Sequence, residues 1–195
     1  MTTRSGRLRL AAESTRTPVL PNAVLGMTLF VAAETMLFGG LISAFTITRS
    51  SAIQWPPLGQ PRLPLEETAV NTAALLLSGV FLYLAQRAYT RDHSRALRPL
   101  GISLGLGAFF VLFQGVEWVR LIREGLTLTS STMGSFFYLI VGMHALHAVA
   151  ALGLLGHTWL RLRRGWLVQS QLAAAQVFWY FVVGLWPVLY VVVYL

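Results

Sequence analysis

The chain has 195 residues, 55% of them hydrophobic and only 11% charged, with a formal net charge of +8 and a mean hydropathy of +0.64. A soluble domain carries roughly 25% charged residues, and this chain has no polar face to wrap five apolar segments, which excludes an ordinary soluble globule. Cysteine is absent, which removes disulfides, thiolate metal sites and cysteine-held iron–sulfur clusters.

The chain opens with a polar tail, residues 1–21, carrying Arg4, Arg7, Arg9 and Arg16. The first apolar block runs over 24–48. About 20 mostly apolar residues cross a bilayer, so the block reads as a span. It is too long for a signal-peptide core and has no clear cleavage site, so it reads as retained. It holds one carboxyl, Glu34, in the run FVAAETMLFGG. A carboxylate in hydrocarbon is expensive and usually faces the bundle interior or a water pocket. Glu34 is therefore a candidate proton carrier, or a hydrogen-bond donor to another helix. The connection that follows, RSSAIQWPPLGQPRLPLEE, holds four of the chain's eight prolines. It cannot be helical through its middle and reads as a compact ordered loop.

The second and third blocks cover 68–87 and 99–119, joined by a loop with His93, Arg87, Arg91, Arg95 and Arg98. The third contains Gly101 and Gly105, a GxxxG spacing suited to close helix contact. It ends near Glu117 in FVLFQGVEWVRL. The fourth block, 135–160, lies in a stretch with no charged residue from 125 to 160. It carries His144 and His147 in GMHALHAVAALG, with His157 near its end. The fifth covers 172–195. Trp118 and Trp166 suit turns at the membrane interface, where indole has an apolar and a wet side. The spans must be helices, because open strands would leave amides unpaired in hydrocarbon. The expected fold is all-α: one membrane domain, residues 22–195, built as a five-helix bundle.

All fifteen basic residues are arginines. With five spans, eleven of them fall on the side of the N-terminal tail, and four, Arg49, Arg62, Arg120 and Arg123, on the other. Cytoplasmic loops hold the excess. The N-terminus is therefore expected inside and the C-terminus outside. The positive charge then suits anionic lipid headgroups and gives no argument for nucleic acid. No internal repeat supports an inverted-repeat transporter, and no glycine-rich nucleotide loop is found.

The chemistry-bearing set is Glu34, Glu117, His144 and His147. Bundle-core di-metal sites use a Glu-x-x-His pair on each of two helices; here the pair is His-x-x-His and occurs once. His144 and His147 share one face of one helix, so they cannot clasp a haem from both sides. Two further readings stay open for the set: proton handling, and interhelical hydrogen bonds worth about 1 kcal/mol each.

Five segments, in order, resemble subunit III of the haem–copper cytochrome c oxidases. They are GMTLFVAAETMLFGGLISAF with its buried glutamate, LPLEETAVNTAALLLSG, LGLGAFFVLFQGVEWVRL with Trp118 where the family has tyrosine, GSFFYLIVGMHALHAVAALGLL, and FWYFVVGLWPVLYVVVYL. The resemblance covers about residues 20–195. The last segment departs from the family's Tyr-Trp-His-Phe-Val-Asp: Tyr180 replaces the histidine and Val183 the aspartate. No role of those two residues is carried over. Pro187 is expected to bend that helix.

The resemblance implies the short, five-helix bacterial form in the inner (plasma) membrane. It implies a subunit with no catalytic centre and no metal of its own, beside a catalytic subunit I and a copper-bearing subunit II that carry haem and copper. It further implies bound phospholipid, support of proton uptake and of sustained turnover, and membership of a respiratory complex or supercomplex. The histidine pair would then brace the bundle, with Glu34. Competing readings are an accessory subunit of a nitric oxide reductase or of an alternative complex III, an independent membrane metalloenzyme, and a small channel or transporter.

Overall fold

The structure is a computed structural model that describes residues 21–55, 57 and 65–195. The tail and most of the proline-rich connection, with the expectations placed on them, lie outside the described residues. Five helices follow in order: α1 (Asn22–Ser51), α2 (Leu65–Arg91), α3 (Leu97–Arg123), α4 (Thr132–Arg163) and α5 (Gln169–Leu189). All five spans are long and apolar enough to cross a membrane. Among the described residues there is no strand. α1 to α4 outrun their apolar blocks by a few residues at each end, because polar and charged residues continue the helix.

The helix ends follow from local chemistry. Gly125 and Gly165 sit just past α3 and α4 with φ of 95° and 73°, a conformation that costs glycine nothing. Each closes the same pattern. Leu126 N–H bonds Leu121 O at 2.9 Å and Gly125 N–H bonds Ile122 O at 3.1 Å. Trp166 and Gly165 repeat this on Arg161 and Leu162 at 2.9 and 3.1 Å. These are the paired bonds of a Schellman cap, which satisfy the last carbonyls. The α4 N-terminus is capped by Ser131, whose hydroxyl accepts from Gly134 N–H at 3.0 Å. Between α2 and α3, Asp92 caps a 3-10 turn, His93–Ala96. The Ser94 hydroxyl and then its amide hold the Asp92 carboxyl below its ordinary range.

α2 and α3 form the most extensive helix pair, and α4 packs on α5 and α3. α5 also lies against α2 and α1. It is tied to α2 by side-chain bonds from Trp179 Nε1 to Ser78 Oγ at 3.1 Å, Trp186 Nε1 to Thr72 Oγ1 at 2.8 Å, and Tyr190 OH to Leu65 O at 3.0 Å. A buried indole N–H needs such a partner. α1 is peripheral. Of its 30 residues only Phe38 and Phe45 are fully buried, and it lies against α5 and α4.

Pro187 does not end α5. The helix runs on to Leu189 and then widens into a π-helical turn, Tyr190–Tyr194. Proline offers no N–H to the carbonyl four residues back, and the wider turn follows three residues on. Arg49 of α1 reaches the last turn, donating to Val192 O and Leu195 O, both at 3.1 Å. The GxxxG expectation holds at one glycine only. A Cβ at Gly101 would meet Trp159 Nε1 at 3.2 Å, whereas Gly105 has nothing within 4 Å. Trp166 is exposed at its turn. Trp118 instead lies within α3 and packs against Tyr138 at 5.7 Å.

Candidate functional site

α1 carries Glu34 toward α4, where Nε2 of His147 lies 3.0 Å from Glu34 Oε2. The contact is an ion-pair approach rather than an aligned hydrogen bond. On its other side, His147 Nδ1 is 2.7 Å from Met143 O. A carbonyl only accepts, so Nδ1 carries a proton and the tautomer is set. Four rings surround His147: Phe30, Phe38, Phe178 and Phe181, with centroids 5.6 to 6.2 Å away. They come from α1 and α5, so three helices meet at the pair.

His144, one turn earlier on α4, is in a different situation. It is 1% exposed, tilted against Trp186 at 5.1 Å and edge-on to Phe38 and Phe110 at 6.4 Å. Neither of its ring nitrogens has a hydrogen-bond partner. It lines a cavity of about 180 Å³ between α3 and α4, together with Gln114 and Trp118. The indole nitrogen of Trp118 is likewise unpartnered. Of the two histidines expected to brace the bundle, His147 has a polar side-chain neighbour on another helix, whereas His144 has none among the described residues.

Glu117, 3% exposed, belongs to a second network. It accepts from Thr68 Oγ1 at 3.2 Å and from Gln114 Nε2 at 2.9 Å. Gln114 Nε2 also donates to Tyr194 OH at 3.1 Å, and Asn71 Nδ2 donates to Phe110 O at 3.3 Å. Outside this network, exposed Arg120 bridges Glu67 and Glu124 at 3.2 and 3.0 Å. A search confined to carboxyl and imidazole groups misses Thr68, Asn71, Gln114 and Tyr194. The available signal was spacing: Thr68 and Asn71, and Gln114 and Glu117, are each three apart and so share a helix face.

The four predicted residues thus divide. Glu34 meets His147, Glu117 meets hydroxyl and amide groups, and His144 packs against aromatic rings with neither ring nitrogen hydrogen-bonded. Among the described residues, no three His, Asp or Glu side chains converge as a metal-ligand set.

A family model described as cytochrome c oxidase subunit III matches residues 12–195. The chain belongs to the cytochrome c oxidase subunit III family. It is 33% identical over 177 residues to cytochrome c oxidase subunit 3 of Synechocystis sp., covering 88% of this chain and 75% of the relative. It is 32% identical over 178 residues to the Thermostichus vulcanus protein of the same name, covering 88% and 86%. A probable cytochrome c oxidase subunit 3 of Nocardia farcinica is 32% identical over 184 residues, covering 89% and 88%. This subunit III is a multi-pass protein of the bacterial plasma membrane, and subunit III implies a complex with other oxidase subunits. At the two departures in its last helix, Tyr180 is 40% exposed on the outer face of α5. Val183 packs inward, where its Cγ1 would meet a Cβ at Gly79 at 3.2 Å.

Proposed function

We propose that this chain is the subunit without redox centres of a haem–copper terminal oxidase, docked on a catalytic subunit I and accompanied by a copper-bearing subunit II. In this reading it supports aerobic respiration by stabilising the catalytic subunit, holding phospholipid and aiding proton uptake. The names of the relatives favour an oxidase over a nitric oxide reductase or an alternative complex III. The arginine asymmetry supports an orientation with the N-terminus inside.

The observation that carries the mechanistic part is the 3.0 Å approach of Glu34 to His147. It is the mid-membrane polar tie between peripheral α1 and the bundle. We assign it a bracing role: the pair holds α1, and with it the outer face of the subunit, in one position. The test is isolation of the chain from its native membrane. The expected outcome is co-purification with a haem-containing catalytic subunit that shows oxidase activity, while the separated chain has no Soret absorbance. Stoichiometric haem on the separated chain, or a partner with nitric oxide reductase activity alone, would overturn the assignment. A reporter fused after Leu195 should be active only outside the cytoplasm.

A further inference from the structure

Beside the bracing pair, α3 and α4 enclose the cavity of about 180 Å³, and its floor is aromatic. Trp186 of α5 stands there edge-on to Phe110 at 4.9 Å and tilted against His144 at 5.1 Å. Trp118 forms a further wall. Its ring is set by Tyr138 at 5.7 Å and by residue 142, where a Cβ would already lie 3.5 Å from Trp118 Cη2.

The cavity offers almost no polar surface. Both ring nitrogens of His144 and the indole nitrogen of Trp118 are closed off from it as well as unpartnered, so these residues show it the carbon of their rings. Gln114 Nε2, on the same wall, is committed to Glu117 and Tyr194. A water needs two to four polar partners to settle in such a space. An empty void leaves its lining atoms without contacts on one side. A small apolar body suits both conditions.

Access is from hydrocarbon. Gly115 on the cavity wall is exposed, and nothing lies within 4 Å of where its Cβ would be. Nearby in sequence on the two helices, Leu112, Val116, Leu146 and Val149 are apolar and more than half exposed. A solute therefore arrives after dissolving in the membrane. Volume sets its size, since a void of about 150 Å³ takes one benzene. The lining of four rings sets its kind, since aromatic pairs gain from edge and offset contacts.

We propose that the α3–α4 cavity is a binding site for one uncharged, single-ring aromatic molecule taken up from the hydrocarbon of the membrane. The drive is contact with the lining rings and not escape from water, because the free ligand is already in an apolar phase. Binding is therefore selective by shape and modest in strength. The site is separate from the Glu34–His147 brace and stands whatever complex the subunit joins.

The test is fluorine NMR of the purified complex in nanodiscs, with empty nanodiscs giving the partition of each probe into lipid. Fluorobenzene should show a saturable component beyond that partition. It should bind more tightly than fluorocyclohexane by about 2- to 10-fold, the worth of an aromatic contact. Ala145→Leu places a side chain in the void and should weaken the saturable component more than about tenfold through overpacking. Should that variant fail to assemble, Val111→Ala enlarges the void and should move the preference severalfold from fluorobenzene towards 4-fluorotoluene. No saturable component in the parent, or one that neither variant changes, would overturn the site. Equal binding of the aromatic and the saturated ring would overturn the aromatic class. Tighter binding of 4-fluorophenol than of fluorobenzene, after the same correction, would overturn the apolar one, because a polar group of the wall would then be within reach.

Discussion

α1 and α5 are both long and apolar enough to cross a membrane, but the bundle holds them in different ways. α5 buries Trp179, Trp186 and Leu189 completely and, with Tyr190 of the turn that follows it, is fastened to α2 by three side-chain hydrogen bonds. α1 leaves Leu29, Met36 and Ile47 more than half exposed. Its described side-chain ties to other helices are the Glu34–His147 pair at mid-membrane and Arg49 at the end. In hydrocarbon, apolar surface alone does not drive helices together, so packing and polar bonds decide. α5 has both. α1 depends on a few contacts and presents an outer face to whatever adjoins the subunit.

The comparison is broken most strongly at glycine. A Cβ at Gly107 would meet Trp179 Cη2 at 2.5 Å and Leu152 Cδ1 at 2.9 Å, while one at Gly40 of α1 meets nothing within 4 Å. Trp179 cannot swing aside without losing its bond to Ser78. Gly107→Ala should therefore destabilise by about 1–3 kcal/mol through overpacking. Gly40→Ala should be neutral or improve the helix by up to about 1 kcal/mol. Unfolding by graded denaturing detergent, followed by far-UV circular dichroism, separates the two. Equal effects would mean that α1 is packed as tightly as the core.

Next in size is the network around Glu117. Glu117→Ala removes the acceptor of Gln114 Nε2 and of Thr68 Oγ1 inside a buried site. Losing one member of a buried bonded set costs about 1–3 kcal/mol. Glu117→Gln keeps an acceptor for both and should recover more than half of that loss. The same unfolding assay reads it, and an Ala variant as stable as the parent would remove the network from the account of the core.

The sequence made the five spans legible because their apolar runs exceed what any soluble helix needs, and Glu34, Glu117, His144 and His147 stood out against that background. The partners of those residues were not legible. Helical spacing places His144 and His147 on one face, yet one turn decides that His147 reaches α1 while His144 is enclosed by rings. Trp118 read as an interfacial residue because indole has an apolar and a wet side and the residue lies near the end of its span. The register of α3 against α4 turns it into the bundle, and register is a tertiary property. Pro187 drew attention to the last helix, but the π-helical turn three residues on, which carries Tyr194 inward to Gln114, has no signal of its own in the sequence.

A smaller effect sharpens the reading of α1. Glu34→Ala removes the carboxyl and leaves His147 Nε2 without its polar neighbour, at a cost of about 1 kcal/mol. Glu34→Gln keeps the size and the hydrogen-bonding groups but no titratable proton. If the pair is a brace, Gln stays nearly silent, while Ala loosens the subunit from its complex on a sizing column. The companion measurement is oxidase activity over many turnovers. A Gln variant fully retained in the complex whose activity nevertheless decays faster would replace the brace with a proton-handling role for the pair.

The smallest expected effect is at His144, and its sign is the point. A buried polar group without partners contributes its desolvation cost and no bond. Both nitrogens of His144 are in that position, among Trp186, Phe38 and Phe110. His144→Phe keeps a planar ring against Trp186 and removes the two unpaired groups. The extra ring volume has the adjoining cavity of about 180 Å³ to enter, so overpacking is limited. The variant should be as stable as the parent or more stable, by up to about 1 kcal/mol. His147→Phe, which removes a bonded ring, should be less stable than the parent. A His144→Phe chain that unfolds earlier, by as much as His147→Phe does, would show that His144 makes a polar contact in the membrane that its aromatic surroundings do not supply.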